Sequence, residues 1–179
     1  PKYDQTNMVE SLFCAEEWFN SNEDLIISYG DIIYSNEILN KLINAKNDFC
    51  VVADKEWHKL WSLRMEDPLS DAESFKTGPN GNVTELGKKI SNIVEVEAQY
   101  IGLIKISSKV IHQICEHYHH LDRKVLYENK NFDNMYMTSF IQNIIQNLME
   151  VHPVYIKGGW IEIDSIDDLQ SYEKNNIKF

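Results

Sequence analysis

Hydrophobic positions recur along this chain with two periods, one near 3.6 residues and one of two, and the changes of period divide it into elements. Asn7 followed by Glu10 reads as a capping box that opens a helix, with Val9, Leu12, Phe13 and Phe19 as its buried stripe. Residues 24–29 form a short apolar run suited to a fully buried strand, which stops at Gly30-Asp31. Residues 36–44 predict a helix that turns Ile38, Leu39 and Leu42 inward. A second buried strand covers residues 49–53 and ends at Asp54. Strand, helix and strand in this order predict parallel strands covered by helices.

The middle of the chain has a different character. Residues 55–68 carry two tryptophans, an arginine and an acidic turn. Residues 73–89 alternate about the turn Gly78-Pro-Asn-Gly81 and read as a hairpin, and residues 95–106 as a long strand. Helical patterns at 108–120 and 135–149 flank a polar loop. Residues 154–157 predict a last core strand, Gly158-Gly159 turns the chain into Trp160-Ile-Glu-Ile-Asp164, and Ser165 with Asp168 caps a final helix. With no internal repeat or low-complexity stretch, the expectation is one α/β domain over residues 1–179. It comprises a Rossmann-like, mostly parallel sheet flanked by helices, with an inserted antiparallel lobe.

Composition narrows the function classes. The 179 residues are 43% hydrophobic and 25% charged, as in soluble globular proteins. No run approaches the ~18–20 apolar residues of a membrane span. No secretory leader is visible, so a cytoplasmic protein is expected. Pro1 opens the chain without a methionine, which suits a processed, truncated or partly represented protein. Cys14, Cys50 and Cys115 are odd in number, lie in or beside apolar segments and read as reduced core residues. A net charge of −11 argues against nucleic acid and suits a protein that meets anions at a small, metal-neutralised site.

Local chemistry points to a few residues. Asp31 follows an apolar strand and a glycine, where a hard oxygen ligand would face the crevice at the carboxyl end of a sheet. The bland alternative is a turn aspartate accepting backbone amides. In residues 160–164 alternation places Trp160, Glu162 and Asp164 on one face and the isoleucines on the other. Two acids on one face repel unless a cation or solvent separates them, and a solvated strand end is the alternative. Trp57, Trp61 and Arg64 stand at helical spacing ahead of Asp67, Asp71 and Glu73. Aromatic faces near acids suit an ammonium group and an arginine suits a phosphate, while packed helix residues are the alternative. His117, His119 and His120 lie at a helix end without ligand spacing and read as surface. Tyr100 and Gly102 line a ligand or serve close packing.

Six segments in one order carry a resemblance: Thr6-Asn-Met-Val-Glu-Ser-Leu12, Ile27-Ser-Tyr-Gly-Asp31, the Trp57 to Arg64 stretch, Asp67-Pro-Leu-Ser-Asp-Ala-Glu73, Glu97-Ala-Gln-Tyr-Ile-Gly102 and Trp160-Ile-Glu-Ile-Asp164. They resemble the nucleotidyltransferase superfamily with the sugar-nucleotide pyrophosphorylase fold, in its phosphocholine-cytidylyltransferase-like branch. Asp133-Asn-Met-Tyr-Met-Thr138 adds a likeness to the cytidylyltransferases of bacterial capsule modification that activate phosphoglutamine. The match spans essentially the whole chain. The resemblance implies Asp31 and Asp164 as catalytic residues and ligands of Mg2+, and Thr6, Asn7, Ser11 and Gly30 near the nucleotide. On the acceptor side it implies Trp57, Trp61, Arg64, Asp67, Asp71, Glu73, Glu97, Tyr100, Trp160 and Glu162. The partners implied are CTP and a phosphorylated small-molecule acceptor, without nucleic acid or membrane, and with a homo-oligomer left open.

One departure stands out. The family opens with a strand, a glycine-rich loop carrying an arginine, and a lysine that cradle the triphosphate, and Pro1-Lys2 does not stand in for them. The expectation is therefore a nucleotidyltransferase domain without its first strand–loop–helix portion, holding the metal and acceptor halves of a site. Two other readings compete. A metal-dependent glycosyltransferase usually places Asp-x-Asp at the first metal position, whereas Ile32-Ile33 follow Asp31. A non-catalytic nucleotide- or metabolite-binding domain is the third.

Overall fold

The computed structural model describes residues 4–19, 22–175 and 177, so Pro1-Lys2 lies outside the described residues. In chain order the elements are α1 (Met8–Phe13), β1 (Leu25–Ser28), β2 (Ile32–Tyr34), α2 (Asn36–Ile43), β3 (Phe49–Asp54), α3 (Trp57–Arg64) and β4 (Glu73–Thr77). There follow β5 (Val83–Lys89), β6 (Gln99–Ile106), α4 (Ile111–His120), α5 (Met137–Asn147), β7 (His152–Ile156), β8 (Trp160–Glu162) and α6 (Ile166–Lys174).

The central sheet has the order β1-β6-β3-β7. β3 pairs parallel with β7, and β6 runs antiparallel to both β1 and β3. β1, β3 and β7 therefore point one way, as strand–helix–strand alternation predicts, with β6 inserted among them. All eight residues of β6 are buried, which suits a central strand. β1 is left at the edge of this sheet, with Leu25, Ile26 and Ile27 partly buried and Ser28 exposed. The expectation of a fully buried strand at 24–29 is corrected on this point: an apolar run cannot distinguish a central position from an edge.

β3 is buried along its whole length and divides two cores. Its alternation sends Phe49, Val51 and Ala53 towards α4 and α5, and Cys50 and Val52 towards α2 and α3. Leu42 of α2 is completely buried there, and truncating it to alanine is expected to cost about 2–5 kcal/mol. Ile38 is buried beside it, whereas Leu39 is only partly so. The Ser35 hydroxyl caps α2 by accepting from the Ile38 amide.

Other expectations hold or shift locally. The hairpin forms as β4 and β5, closed by bonds among Gly78, Gly81 and Asn82, and Leu86 N–H donates to Gln142 of α5 at 3.0 Å. Ser165 and Asp168 make the predicted capping box of α6. Asn7 caps α1, but Glu10 does not complete a box; its carboxylate accepts from the Tyr118 hydroxyl at 2.6 Å. α1 stops at Phe13, and Phe19 meets it edge-on after a short 3-10 turn at Glu16–Trp18. Cys50 and Cys115 are buried as expected, but Cys14 is exposed at the end of α1.

Gly102 decides how the chain crosses the sheet. Its φ is +81°, and a Cβ there would lie 2.5 Å from the Tyr29 ring. Tyr29 N–H donates to the Gly102 carbonyl at 3.0 Å, so the chain after β1 lies flat on β6 and delivers Gly30-Asp31 above it.

Candidate active site

The two-stranded β2–β8 ladder builds the acidic centre. Ile32 pairs with Glu162, and Ile163 N–H donates to the Asp31 carbonyl at 2.9 Å, which sets Asp31 beside the end of β8. One carboxylate oxygen from each of Asp31, Glu162 and Asp164 lies within 4.8 Å of the others. Among the described residues this is the one cluster of three or more metal-ligating side chains. Asp31 and Asp164 are exposed and Glu162 is partly buried, a donor set of hard oxygens open to solvent that suits magnesium together with phosphate oxygens.

Three like charges so close need a counter-ion, and Arg64 supplies it. From the end of α3, with a side chain only 2% exposed, it donates to Glu162, to Asp164 and, through Nε at 3.0 Å, to Asp168. Asp168 is itself fixed by the amides of Asp164 and Ser165. Burial works to lower the Arg64 pKa, but Asp168 and Glu162 win and raise it. Burial lifts the Glu162 carboxyl against the pull of Arg64. In Asp168 burial is outweighed by Arg64 and Ser165, which hold the carboxyl below its usual range. Asp31 has no salt-bridge partner among the described residues.

Two clefts meet at Asp31. One, of about 460 Å³, is lined by Thr6, Asn7, Ser11 and Gly30, the four residues expected near a nucleotide. The other, of about 300 Å³, is lined by Trp61, Asp71, Glu73, Tyr100, Glu162 and Asp164. Burial pushes the Glu73 carboxyl up to about 7, and the neighbouring charges of Glu128, Asp71 and Glu162 add to the rise. A larger cleft of about 490 Å³, with Lys41, Lys55 and Lys157 on its walls, lies at the Ser35–Gly159 end of the ladder, away from these acids.

Five residues expected on the acceptor side do not line the cleft of Asp71 and Glu73. Trp57 is 3% exposed and packs edge-on to Trp61, as the inner face of α3. Trp160 is equally buried, and its indole N–H donates to Asp54 at 2.8 Å, because both faces of β8 are covered at that residue. Arg64 is bound to three carboxylates rather than turned out to clamp a phosphate. Asp67 caps its own short turn through the Leu69 amide at 3.0 Å. Glu97 is exposed and accepts from Thr77. The three histidines are spent locally, on Asn143, Glu16 and the Glu116 carbonyl, as their surface reading implies.

Sequence reasoning missed Tyr29, Gln99 and the 136–138 segment on the cleft walls, and Asp168 as anchor of Arg64. Tyr29 and Gln99 stand inside motifs that were recognised. The helix start at 136–138 gave no signal beyond the family likeness of its neighbourhood, and Asp168 looked like a cap alone.

No protein-family model matches the chain. It is 49% identical over 173 residues to a CTP:phosphoglutamine cytidylyltransferase of Campylobacter jejuni subsp. jejuni serotype O:2, covering 94% of this chain and 68% of that protein. Two solved structures share the fold. The inositol-1-phosphate CTP transferase from T. maritima superposes with a TM-score of 0.64 at 18% identity, covering 94% of this chain and 61% of its own. CTP:phosphocholine cytidylyltransferase from Streptococcus pneumoniae gives 0.63 at 17% identity, over 99% of this chain and 67% of its own. The chain thus spans about two thirds of the length of these proteins. With that identity along nearly its whole length, the chain belongs to the CTP:phosphoglutamine cytidylyltransferase family.

Proposed function

We propose that this chain carries the metal and acceptor parts of a cytoplasmic cytidylyltransferase that moves CMP from CTP to phosphoglutamine or a similar phosphorylated acceptor. Pyrophosphate leaves, and the product serves cell-surface polysaccharide modification such as capsule biosynthesis. The observation that carries this reading is the convergence of Asp31, Glu162 and Asp164 at the junction of two clefts. Kinship with a CTP:phosphoglutamine cytidylyltransferase supports it.

In the reaction an oxygen of the acceptor phosphate attacks the α-phosphorus of CTP, and the bond to pyrophosphate breaks in line, with no covalent enzyme intermediate. Positioning and charge stabilisation do most of the catalysis. Asp31 and Asp164, with Glu162 beside them, would hold Mg2+. The ion supplies neutralisation of phosphate charge when bound. Thr6, Asn7, Ser11 and Gly30 line the nucleotide side. Glu73 and Asp71 line the acceptor side, where they offer negative charge to an ammonium group.

The test is pyrophosphate release by the full-length protein, crossing the common nucleoside triphosphates with phosphoglutamine, phosphocholine and phosphoethanolamine. CTP with phosphoglutamine should turn over fastest. Asp31→Ala should lower turnover by roughly 10²–10³-fold, as loss of a main electrostatic element does. An Asp31→Ala protein with normal magnesium-dependent release would sink the assignment.

A further inference from the structure

We propose that the cleft between α2 and the carboxyl ends of β3 and β7 is a binding site apart from the candidate active site, and that it takes a small phosphate monoester through Lys41, Lys55 and Lys157. It lies at the Ser35–Gly159 end of the β2–β8 ladder, whereas Asp31, Glu162 and Asp164 gather at the other end. β3 and β7 are parallel neighbours with Asp54 beside Ile156, and Lys55 and Lys157 are the next residue of each. The crevice beyond the carboxyl ends of parallel strands is where open α/β sheets bind ligands. At about 490 Å³ the space has the size of a small-molecule site.

The scaffold under the lysines is fixed. Asp54 is 1% exposed, and its carboxylate accepts from the amides of Glu56 at 2.8 Å and Gly158 at 2.9 Å and from the Trp160 indole at 2.8 Å. The Lys55 amide donates to the Ile156 carbonyl at 3.0 Å. One buried side chain thus ties together the two turns that carry Lys55 and Lys157. Two of the ammonium groups are held as well. Lys41 Nζ donates to the Tyr155 carbonyl at 2.5 Å, and Lys55 Nζ lies 3.9 Å from the centre of the Tyr155 ring.

These contacts hold the cations without neutralising them. Lys59, Lys76, Lys88, Lys105 and Lys109 each pair with a carboxylate, whereas among the described residues Lys41, Lys55 and Lys157 pair with none. In a chain of net charge −11, three cations gathered at one place repel one another and are short of an anion. Among the described residues that line the cleft, Glu37 is the only acid, and the lysines outnumber it. A dianionic phosphate answers that balance and accepts from the unused N–H groups, since each ammonium has three donors. Ile38 and Tyr155 on the walls offer apolar contact to the organic body of an ester.

Metal-free titration of the full-length protein with glycerol 3-phosphate, inorganic phosphate and glycerol, by calorimetry and by the amide shifts of Gly158 and Gly159, tests this. Glycerol 3-phosphate should bind saturably and shift both amides, inorganic phosphate should bind more weakly, and glycerol should not bind. Lys55→Gln with Lys157→Gln, both at exposed positions, should melt as the parent does. This double variant should bind glycerol 3-phosphate roughly tenfold or more weakly, the loss expected when hydrogen bonds between charged groups go. Lys55→Arg with Lys157→Arg keeps the charge and should restore binding. A parent that binds neither phosphate probe, or a folded glutamine pair that binds both as the parent does, would overturn the site. Inorganic phosphate bound as tightly as the ester would overturn the monoester assignment. The titrations need no turnover, so a failure of the cytidylyltransferase reading, seen as absent pyrophosphate release, leaves their outcome readable.

Discussion

Glu73 and Glu85 lie on the two strands of one hairpin and meet opposite fates. Glu85, on β5, accepts from Lys76 at 2.8 Å and Lys88 at 2.5 Å, and these two bonds hold its carboxyl down at about 2. Glu73, at the root of β4, has its carboxyl lifted to about 7 by burial and by other acids. No cation pairs with it among the described salt bridges. The lobe end of the hairpin is thus electrostatically complete on its own, whereas the root is left short of positive charge. The same residue type is structural where its partner is part of the fold and is a binding candidate where the partner has to arrive. Arg64 marks the boundary, because it pairs with Glu162, Asp164 and Asp168 and leaves Glu73 and Asp31 unanswered.

The largest stability effect is expected at that boundary. Arg64→Met strips the counter-ion from Asp168 and Glu162 and should cost about 3–5 kcal/mol, read by urea or thermal unfolding. A loss below about 1 kcal/mol would mean that solvent, not Arg64, neutralises these acids.

Glu73→Gln comes next, and its effect divides between function and stability. The catalytic efficiency with an ammonium-bearing acceptor should fall roughly tenfold to a hundredfold, as when one charge-assisted contact is lost. An unfolded glutamate titrates near 4.5 and the folded Glu73 near 7, so the unfolded chain binds fewer protons between these values. Stability therefore falls as pH rises through that window. Glu73→Gln removes this slope, and should be more stable than the parent at pH 8 by on the order of 1–3 kcal/mol and equal to it at pH 4. Unfolding curves at the two pH values check this. An unchanged difference would show that Glu73 ionises normally.

The smallest effect belongs to Glu85→Gln. Its contribution is present above 4.5 and is lost as pH falls towards 2, the reverse of Glu73. Because Lys76 and Lys88 are solvent-exposed, the loss at neutral pH should stay within about 1 kcal/mol and vanish in high salt.

Much of this architecture was legible in the residues. The buried run at 49–53, the Gly78-Pro-Asn-Gly81 turn and the Ser165–Asp168 box each state their structure within a few neighbours, because backbone propensity and alternation are local. The pairing of Asp31 with Asp164 came from family likeness, not from spacing. Trp57, Trp160 and Glu97 do not line the cleft, because a residue's period gives its face but not what lies against that face. Trp160 looked outward by alternation until Asp54, over a hundred positions away, took its indole N–H.

The sequence by itself determined the element types, the caps, the α/β class and the order of motifs, since these rest on periodicity and short-range bonding. Only the tertiary structure decided that β6 enters between β1 and β3, that Arg64 serves three carboxylates, and that Glu73 faces other acids without a cation. Those are long-range matters. Charge, burial and hydrogen-bond satisfaction at each of these groups depend on partners brought from distant segments, and no local pattern encodes where such partners will lie.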